Sequence, residues 1–347
     1  MFLSIQTCRR CRIAPCKFVS IQKPGNAISR PMTERALILS ATLGAWQTAH
    51  VGRLFRPMKT PLQKQLLRLG NYAATNQVDK LRQGIAQLGE DRGGDWQRYG
   101  ARFLEFLDDG TPRFTVYKEG NSKLPFYAFS ALPIITCPGF GDCGKWCYSF
   151  TAWRYPAAYF RQLQNTFLII NAPEILADEF RALPRDIDFR LYVDGDIDSA
   201  KTLGFWMELF RDRPDVRAYG YSKSWPLFLA YAKTNQFPPN YKLNLSGGSR
   251  YGEDYLRAMQ QLDCVRGEFV GFDVETAFPS QKLLAKSPRE YKAQLGQYKR
   301  EVMSAAIDAG HEKVFVCPGK CGECVRGGIH ACGSSKFDGV TVAIGIH

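Results

Sequence analysis

The sequence predicts an α/β protein built on a parallel βα repeat, an incomplete (βα)6 TIM-like barrel with an N-terminal helical extension. Three observations carry this. Short β-rich apolar runs recur six times, at residues 131–136, 189–193, 216–221, 242–245, 268–272 and 313–316, each leading into a loop rich in Gly, Ser, Cys or Asp. Helical stretches lie between them, at 157–171, 173–183, 200–210 and 289–309. Apolar residues make up 45%, aromatics 13% and charged residues 23%, the profile of a globular core. Strands alternating with helices argue for a parallel sheet. An open doubly wound sheet fits the same alternation, and in either geometry the loops after the strands gather at one end, where active sites sit.

Residues 1–57 are expected to be a disordered basic leader. Residues 1–60 hold ten Lys or Arg and one acid, Glu34, so +9 of the formal +13 lies there; the rest carries 36 basic and 32 acidic residues. A nearly neutral body is weak support for a dedicated nucleic-acid binder, although the leader itself offers nucleic acid a partner. Cys8, Cys11 and Cys16 leave three readings open: an organelle-type targeting leader, a small zinc hook, or translation that begins at Met32 or Met58.

Residues 58–110 read as the helical extension. Leu62, Leu66, Leu67 and Leu69 begin an apolar face that Val78, Leu81, Ile85 and Leu88 continue, until Gly93 and Gly94 interrupt it before a second helix over 96–107. Residues 114–117 and 124–131, around a polar turn at 119–122, predict a hairpin. From 111 onward the chain is expected to form the α/β domain with two cysteine groups. Pro173 suits a first helical position, where its missing N–H costs nothing. No run reaches the ~20 apolar residues of a membrane span.

Seven of the 11 cysteines fall into two tight, Gly-rich groups. With no secretory apolar region at the start, metal thiolates in a reducing, cytoplasmic compartment are expected rather than disulfides. Cys137, Cys143 and Cys147 follow the first strand at C-x5-C-x3-C, a spacing that lets one loop wrap a single metal or cluster. The bland alternative is three inert buried thiols. Cys317, Cys321, Cys324 and Cys332 stand at C-x3-C-x2-C-x7-C, beside a Gly327-Gly328 turn. They supply four ligands unaided, enough for tetrahedral zinc or a four-iron cluster, with His330 as a possible substitute ligand. If both groups follow strand ends, all seven thiols face the same way.

Three further loops are candidates for binding a small-molecule cofactor. Asp194, Gly195, Asp196 and Ser199 end the second strand in a polar loop able to orient an amine or hydroxyl, while Asp198 or Ser199 also reads as a helix cap. After the third strand, Lys223 suits a carboxylate or phosphate and Trp225 a stacked base; a solvated Lys and a packed Trp fit equally. Gly247 and Gly248 can cradle an anion through backbone N–H groups or form a plain turn. Asp273 and Glu275 are lesser candidates. With four histidines, no His-hydrophobic-His nickase motif and no Walker, G-x-S-x-G or kinase signature, the common hydrolytic chemistries are excluded.

Cys137-Pro-Gly, Cys143, Cys147-Tyr, Asn165, Arg190, Asp194-Gly-Asp, Ser199, Tyr219, Tyr221-Ser-Lys-Ser and Leu245-Ser-Gly-Gly, in this order, resemble the phage gene 88 protein family over roughly residues 125–250. The resemblance implies a phage or plasmid context more than a particular reaction. The long N-terminal region and the cysteine-rich end depart from that pattern. A looser likeness is to radical S-adenosylmethionine enzymes: an aromatic before the last thiol (Trp146-Cys147), a Gly-acid loop after strand two and six βα units. C-x5-C-x3-C is not their usual spacing; C-x3-C-x2-C is, but here it stands late in the chain. That likeness implies a 4Fe-4S cluster on Cys137, Cys143 and Cys147 with one open iron for S-adenosylmethionine, whose amino group the 194–199 loop would hold and whose adenosine Trp225 or Gly247 would hold. The competing expectation is a phage or plasmid protein of replication or mobilisation, its cysteines binding structural zinc.

Overall fold

The structure is a computed structural model and describes residues 60–120, 124–145, 147–276, 287–319, 321, 324 and 330–346. The basic leader with Cys8, Cys11 and Cys16, part of the polar turn at 119–122, Trp146 and the Gly327-Gly328 turn lie outside these residues.

Thr60 opens the first helix, α1 (Pro61–Ala74), with a reciprocal cap: its hydroxyl accepts from Gln63 N while the Gln63 side chain accepts from Thr60 N. Such a box contributes about 1 kcal/mol. The apolar face expected over 62–88 is carried by two helices, because Asn76 takes a positive φ of 52° and turns the chain into α2 (Val78–Arg92). Gly93, at φ 62°, ends α2 and starts α3 (Gly94–Asp109). α1 and α3 pack on a later helix, α5 (Pro156–Asn171), and α2 packs on α1 and α3: Trp96 lies 6.0 Å from Tyr159, Phe103 5.9 Å from Phe160, and the Tyr159 hydroxyl donates to Leu66 O. The extension therefore shares the main core.

The rest is an α/β wind: β1 (Tyr127–Ala128), α4 (Ser149–Ala152), α5 (Pro156–Asn171), α6 (Pro173–Arg181), β2 (Asp188–Leu191), α7 (Ala200–Asp212), β3 (Arg217–Ser222), α8 (Trp225–Ala232), β4 (Tyr241–Ser246), α9 (Glu253–Met259), β5 (Val265–Asp273), α10 (Pro288–Asp308), β6 (Val314–Val316) and β7 (Thr341–Ile346). Every paired strand is parallel, in the order β1-β2-β3-β4-β5-β7-β6. β1 to β5 follow chain order, as in a barrel; among the described residues no pairing joins the outer strands β1 and β6. No described helix is long and apolar enough to cross a membrane.

Three expectations are corrected. The hairpin reduces to one antiparallel bridge between Lys118 and Ala128, and the strand at 131–136 is a turn. Pro133 has no N–H to give a ladder, and Ile134 sits at φ 68°. Backbone groups of both segments are bonded instead by polar side chains of α5. Gln164 bonds both groups of Phe114 and the N–H of Arg113, Asn165 donates to Val116 O and Ser130 O, and Thr166 accepts from Leu132 N. The first strand of the repeat is thus Tyr127–Ala128. The third correction is β7, an unexpected strand seated between β5 and β6.

Side chains alternate across the sheet. Phe189, Leu191, Tyr241 and Leu243 face the helices, where Phe189 meets Phe180 at 5.2 Å and Tyr241 stacks on Phe210 at 5.5 Å. Arg190, Tyr219, Tyr221 and Asn244 face the other way, towards the C-terminal cysteine segment.

Candidate metal centre

The first cysteine loop follows β1, and its shape is set by the loops after β2, β3 and β4. Thr136 Oγ1 donates to Leu132 O and accepts from Asp196 N. The Asp196 carboxylate, 4% exposed, accepts from Ile197 N at 2.7 Å, Lys223 N at 2.8 Å and Ser224 Oγ at 3.1 Å. Lys223 O in turn accepts from Ser249 Oγ, and Arg250 N donates to Gly139 O. Gly139 presses so closely on this backbone that a Cβ there would lie 1.9 Å from Lys223 O; one at Gly141 would lie 2.8 Å from Gly248 O. Gly195, at φ 83°, leaves room for Thr136 Oγ1, which a Cβ would approach to 2.6 Å.

Of the predicted cofactor residues, Asp194, Gly195, Asp196, Lys223 and Gly248 meet this loop or its ends, while Ser199, Trp225 and Gly247 bond elsewhere, and much of their polar capacity is used inside the protein. Asp194 accepts from Ser149 Oγ and Gln162 Nε2, locking the loop to α4 and α5. Ser199 is the N-cap of α7, accepting from Thr202 N. Trp225 is buried and donates to Ser222 O. Gly247 N donates to Phe269 O, while Gly248 turns the chain at φ 73°. Lys223 Nζ donates to Ser246 Oγ and lies within electrostatic reach of Cys137. Burial raises the Cys137 thiol, with Asp196 and Cys147 adding to the shift; Cys147 is raised by burial first, then by Cys143 and Asp194. Asp198 Oδ1 is buried without a hydrogen-bond partner in the structure.

The second group starts at the end of β6, where Cys317 N donates to Ala343 O. Burial and then the charges of Cys332, Cys321 and Cys324 push the Cys317 thiol up to about 12, so the four thiols stand within electrostatic reach of one another. Two backbone N–H groups point at sulfur, Gly319 N at Cys317 and Ala331 N at Cys324, as they do around metal thiolates. Arg190 lies within electrostatic reach of Cys321 and Cys332, and Arg266 within electrostatic reach of Cys332. His330 turns from the thiols to the sheet: its ring packs 4.3 Å from Tyr219 and 4.9 Å from Phe126, with Nε2 3.9 Å from Asp188.

Both groups follow strand ends, but at opposite edges of the sheet. Described residues of the C-terminal segment lie at points across the gap: Cys317 N donates to Ala343 O at the end of β6, Cys332 O accepts from Asn244 of β4, and His330 packs on Phe126, just before β1. Arg190 links the two groups, within electrostatic reach of Tyr148 beside Cys147 and of Cys321. Among the described residues, no three Cys, His, Asp or Glu side chains are drawn together tightly enough to hold an ion as they stand. The donor set nevertheless suits a thiophilic metal: seven sulfurs, N–H donors on two of them, and burial that raises the thiols of Cys137, Cys147, Cys317, Cys321 and Cys332, so that a cation is what favours their thiolates. A separate groove of about 290 Å³ between α6 and α7, lined by Glu174, Arg181 and Glu208 among others, holds no cysteine.

Arg190, Asn244 and Arg266 were missed as site residues. Their signal was present: polar or charged residues between apolar ones inside strands, where a charge is costly without a reason.

Fold and site together define a parallel α/β protein carrying two cysteine groups on its strand-end loops. The family model described as Gene product 88 matches residues 108–337, and the chain belongs to this family. No curated protein and no solved structure matches it.

Proposed function

We infer that this is a metal-dependent α/β protein of phage type, with two cysteine centres and iron–sulfur the favoured occupant. What supports the reading is the C-terminal segment, where Cys321, Cys324 and Cys332 lie within electrostatic reach of Cys317 and two of the four thiols receive backbone N–H donors. Four thiolates close a coordination sphere, which suits a structural or electron-transferring role. Cys137, Cys143 and Cys147 are three, leaving a position for a substrate. A four-iron cluster held there supplies an open iron to which a chelating molecule such as S-adenosylmethionine can bind.

The chain's own residues do the positioning. Asp196, Ser249 and Arg250 hold the loop backbone, and Asp194 holds its far end. Lys223 supplies a cation beside Cys137 for a carboxylate. The test is metal and sulfide analysis of protein purified without oxygen, with the visible spectrum. Iron and acid-labile sulfide at about four per chain or more, lost group by group in Cys→Ser variants, support the reading, and S-adenosylmethionine cleavage is then the assay. Zinc without sulfide reduces the cysteines to scaffolding; protein free of both metals overturns the reading.

A further inference from the structure

Two guanidinium groups, Arg266 fully buried and Arg190 partly so, lie within electrostatic reach of the C-terminal thiols with no carboxylate bonded to either. Arg266 is 0% exposed. Its hydrogen bonds go only to neutral oxygens: Nε to Asn244 Oδ1 at 2.6 Å, Nη1 to Phe337 O at 2.9 Å and Val340 O at 2.8 Å, and Nη2 to the main-chain oxygen of Glu268 at 3.1 Å. The carboxylate within its electrostatic reach, Asp338, is half-exposed and paired with Lys242. Arg190 lies over the Tyr221 ring at 4.7 Å, and its buried Nε has no hydrogen-bond partner in the structure. Among the described residues, neither arginine appears in an ion pair with Asp or Glu.

Both cations point to the same place. Arg190 reaches Cys321, and Arg190 and Arg266 both act on Cys332. Asn244 ties the arrangement together, accepting from Arg266 and donating to Cys332 O at 2.9 Å. Burying two unpaired cations is expensive, and a fold keeps such groups where an anion offsets them. Phenols and thiols in their neutral forms do not.

We propose that Arg190 and Arg266 are the counter-charges of a doubly anionic centre formed when Cys317, Cys321, Cys324 and Cys332 all bind as thiolates. This rests on reading the segment as a metal site. The charge count is independent of the metal: four thiolates around Zn²⁺, or around a four-iron core in its 2+ state, sum to −2. It also selects the ligand set. Three thiolates and His330 around Zn²⁺ sum to −1 and would leave one guanidinium unbalanced, and His330 is turned towards Asp188 and Tyr219.

The test is zinc affinity of the full chain, by competition with a chromophoric chelator, for wild type, Arg190→Gln and Arg190→Lys, with exposed Arg257→Gln as control. The expected loss in Arg190→Gln is about 10- to 100-fold, the range for partners one step removed from a metal. Arg190→Lys is expected to retain most of the affinity, and Arg257→Gln all of it. Thermal unfolding gives the second readout. Removing the charge should lower the midpoint of the zinc-loaded protein and raise or spare that of the metal-free protein, whereas a packing role would lower both. If Arg190→Gln fails to fold, Arg190→Lys decides alone: near-wild-type affinity supports the charge role, and a loss of tenfold or more overturns it. Equal affinity in wild type and Arg190→Gln also overturns it, leaving the metal reading standing. Wild type that binds no metal at either group overturns both.

Discussion

Cys137 and Cys147 sit in a loop whose main chain is gripped largely by other main chain, whereas the cysteines of the C-terminal segment lie against side chains. In the first group, Gly139 and Gly141 bring backbone against backbone, and the buried carboxylate of Asp196 collects the N–H groups of the neighbouring loops. In the second, Asn244, Arg266, Arg190 and the two tyrosines of β3 line the sheet face. The difference teaches where each group's geometry comes from. The first is shaped by the fold and depends on absent side chains. The second depends on charge and on polar groups that need a partner in the segment itself.

The sharpest way to break this contrast is Gly139→Val. Its Cβ has no room beside Lys223 O, so the loop must shift, and the expected destabilisation is about 3 kcal/mol or more. Urea unfolding measures it; a loss below about 1 kcal/mol would mean that the grip is looser than the contact implies.

Asp196→Ala comes next. It strands Ile197 N, Lys223 N and Ser224 Oγ in the interior, with an expected cost of about 3 kcal/mol. Alkylation of Cys137, Cys143 and Cys147 should speed up, with little change at Cys317 to Cys332. Asn244→Ala is the mirror test. It removes the partner of Arg266 Nε, Gly220 O and Cys332 O, at about 2 kcal/mol, and should expose the second group alone. Equal acceleration at both groups in either variant would show that the two behave as one unit. The smallest effect is expected from Ser249→Ala, about 1 kcal/mol, because its partly buried hydroxyl loses its bonds to Lys223 O and Tyr251 N while the Arg250 N to Gly139 O bond remains. A cost as large as that of Asp196→Ala would move the main support of the loop from β2 to β4.

Much of this architecture was legible from residue pattern. β3, β4 and β5 stand within a few residues of the apolar runs that announced them, and Cys317 directly follows β6 as expected, whereas a turn and not a strand leads into Cys137. The misread stretch was 131–136, apolar enough for a strand. Its Leu132 N donates to Thr166 and the adjoining Ser130 O accepts from Asn165, both on a helix some thirty residues on, while Ala131 N donates to Asp194 O, and such long-range bonding leaves no local trace. Strand β7 was hidden differently: its Thr-Val-Ala-Ile text is strand-like, but it follows the cysteines, where the βα count had already closed. In the site, residue type was readable and role was not. Asp194 and Asp196 look like ligand-binding carboxylates until the structure shows which protein donors they accept from.

The position of β7 bears on how the chain is made. It is the last strand in chain order, yet it pairs with both β5 and β6. As the polypeptide leaves the ribosome, β1 to β5 can assemble in turn, each on its predecessor. The free edge of β5 then waits while α10, β6 and the cysteine segment emerge. Until Thr341 and the residues after it arrive, β6 has no neighbour in the sheet, and an unpaired edge is an invitation to other chains. The cysteine segment is thus also the tether that sets how far β7 must travel back. A pause in translation before residue 341 is expected to leave the nascent chain open to mispairing at β5, not merely short of a tail.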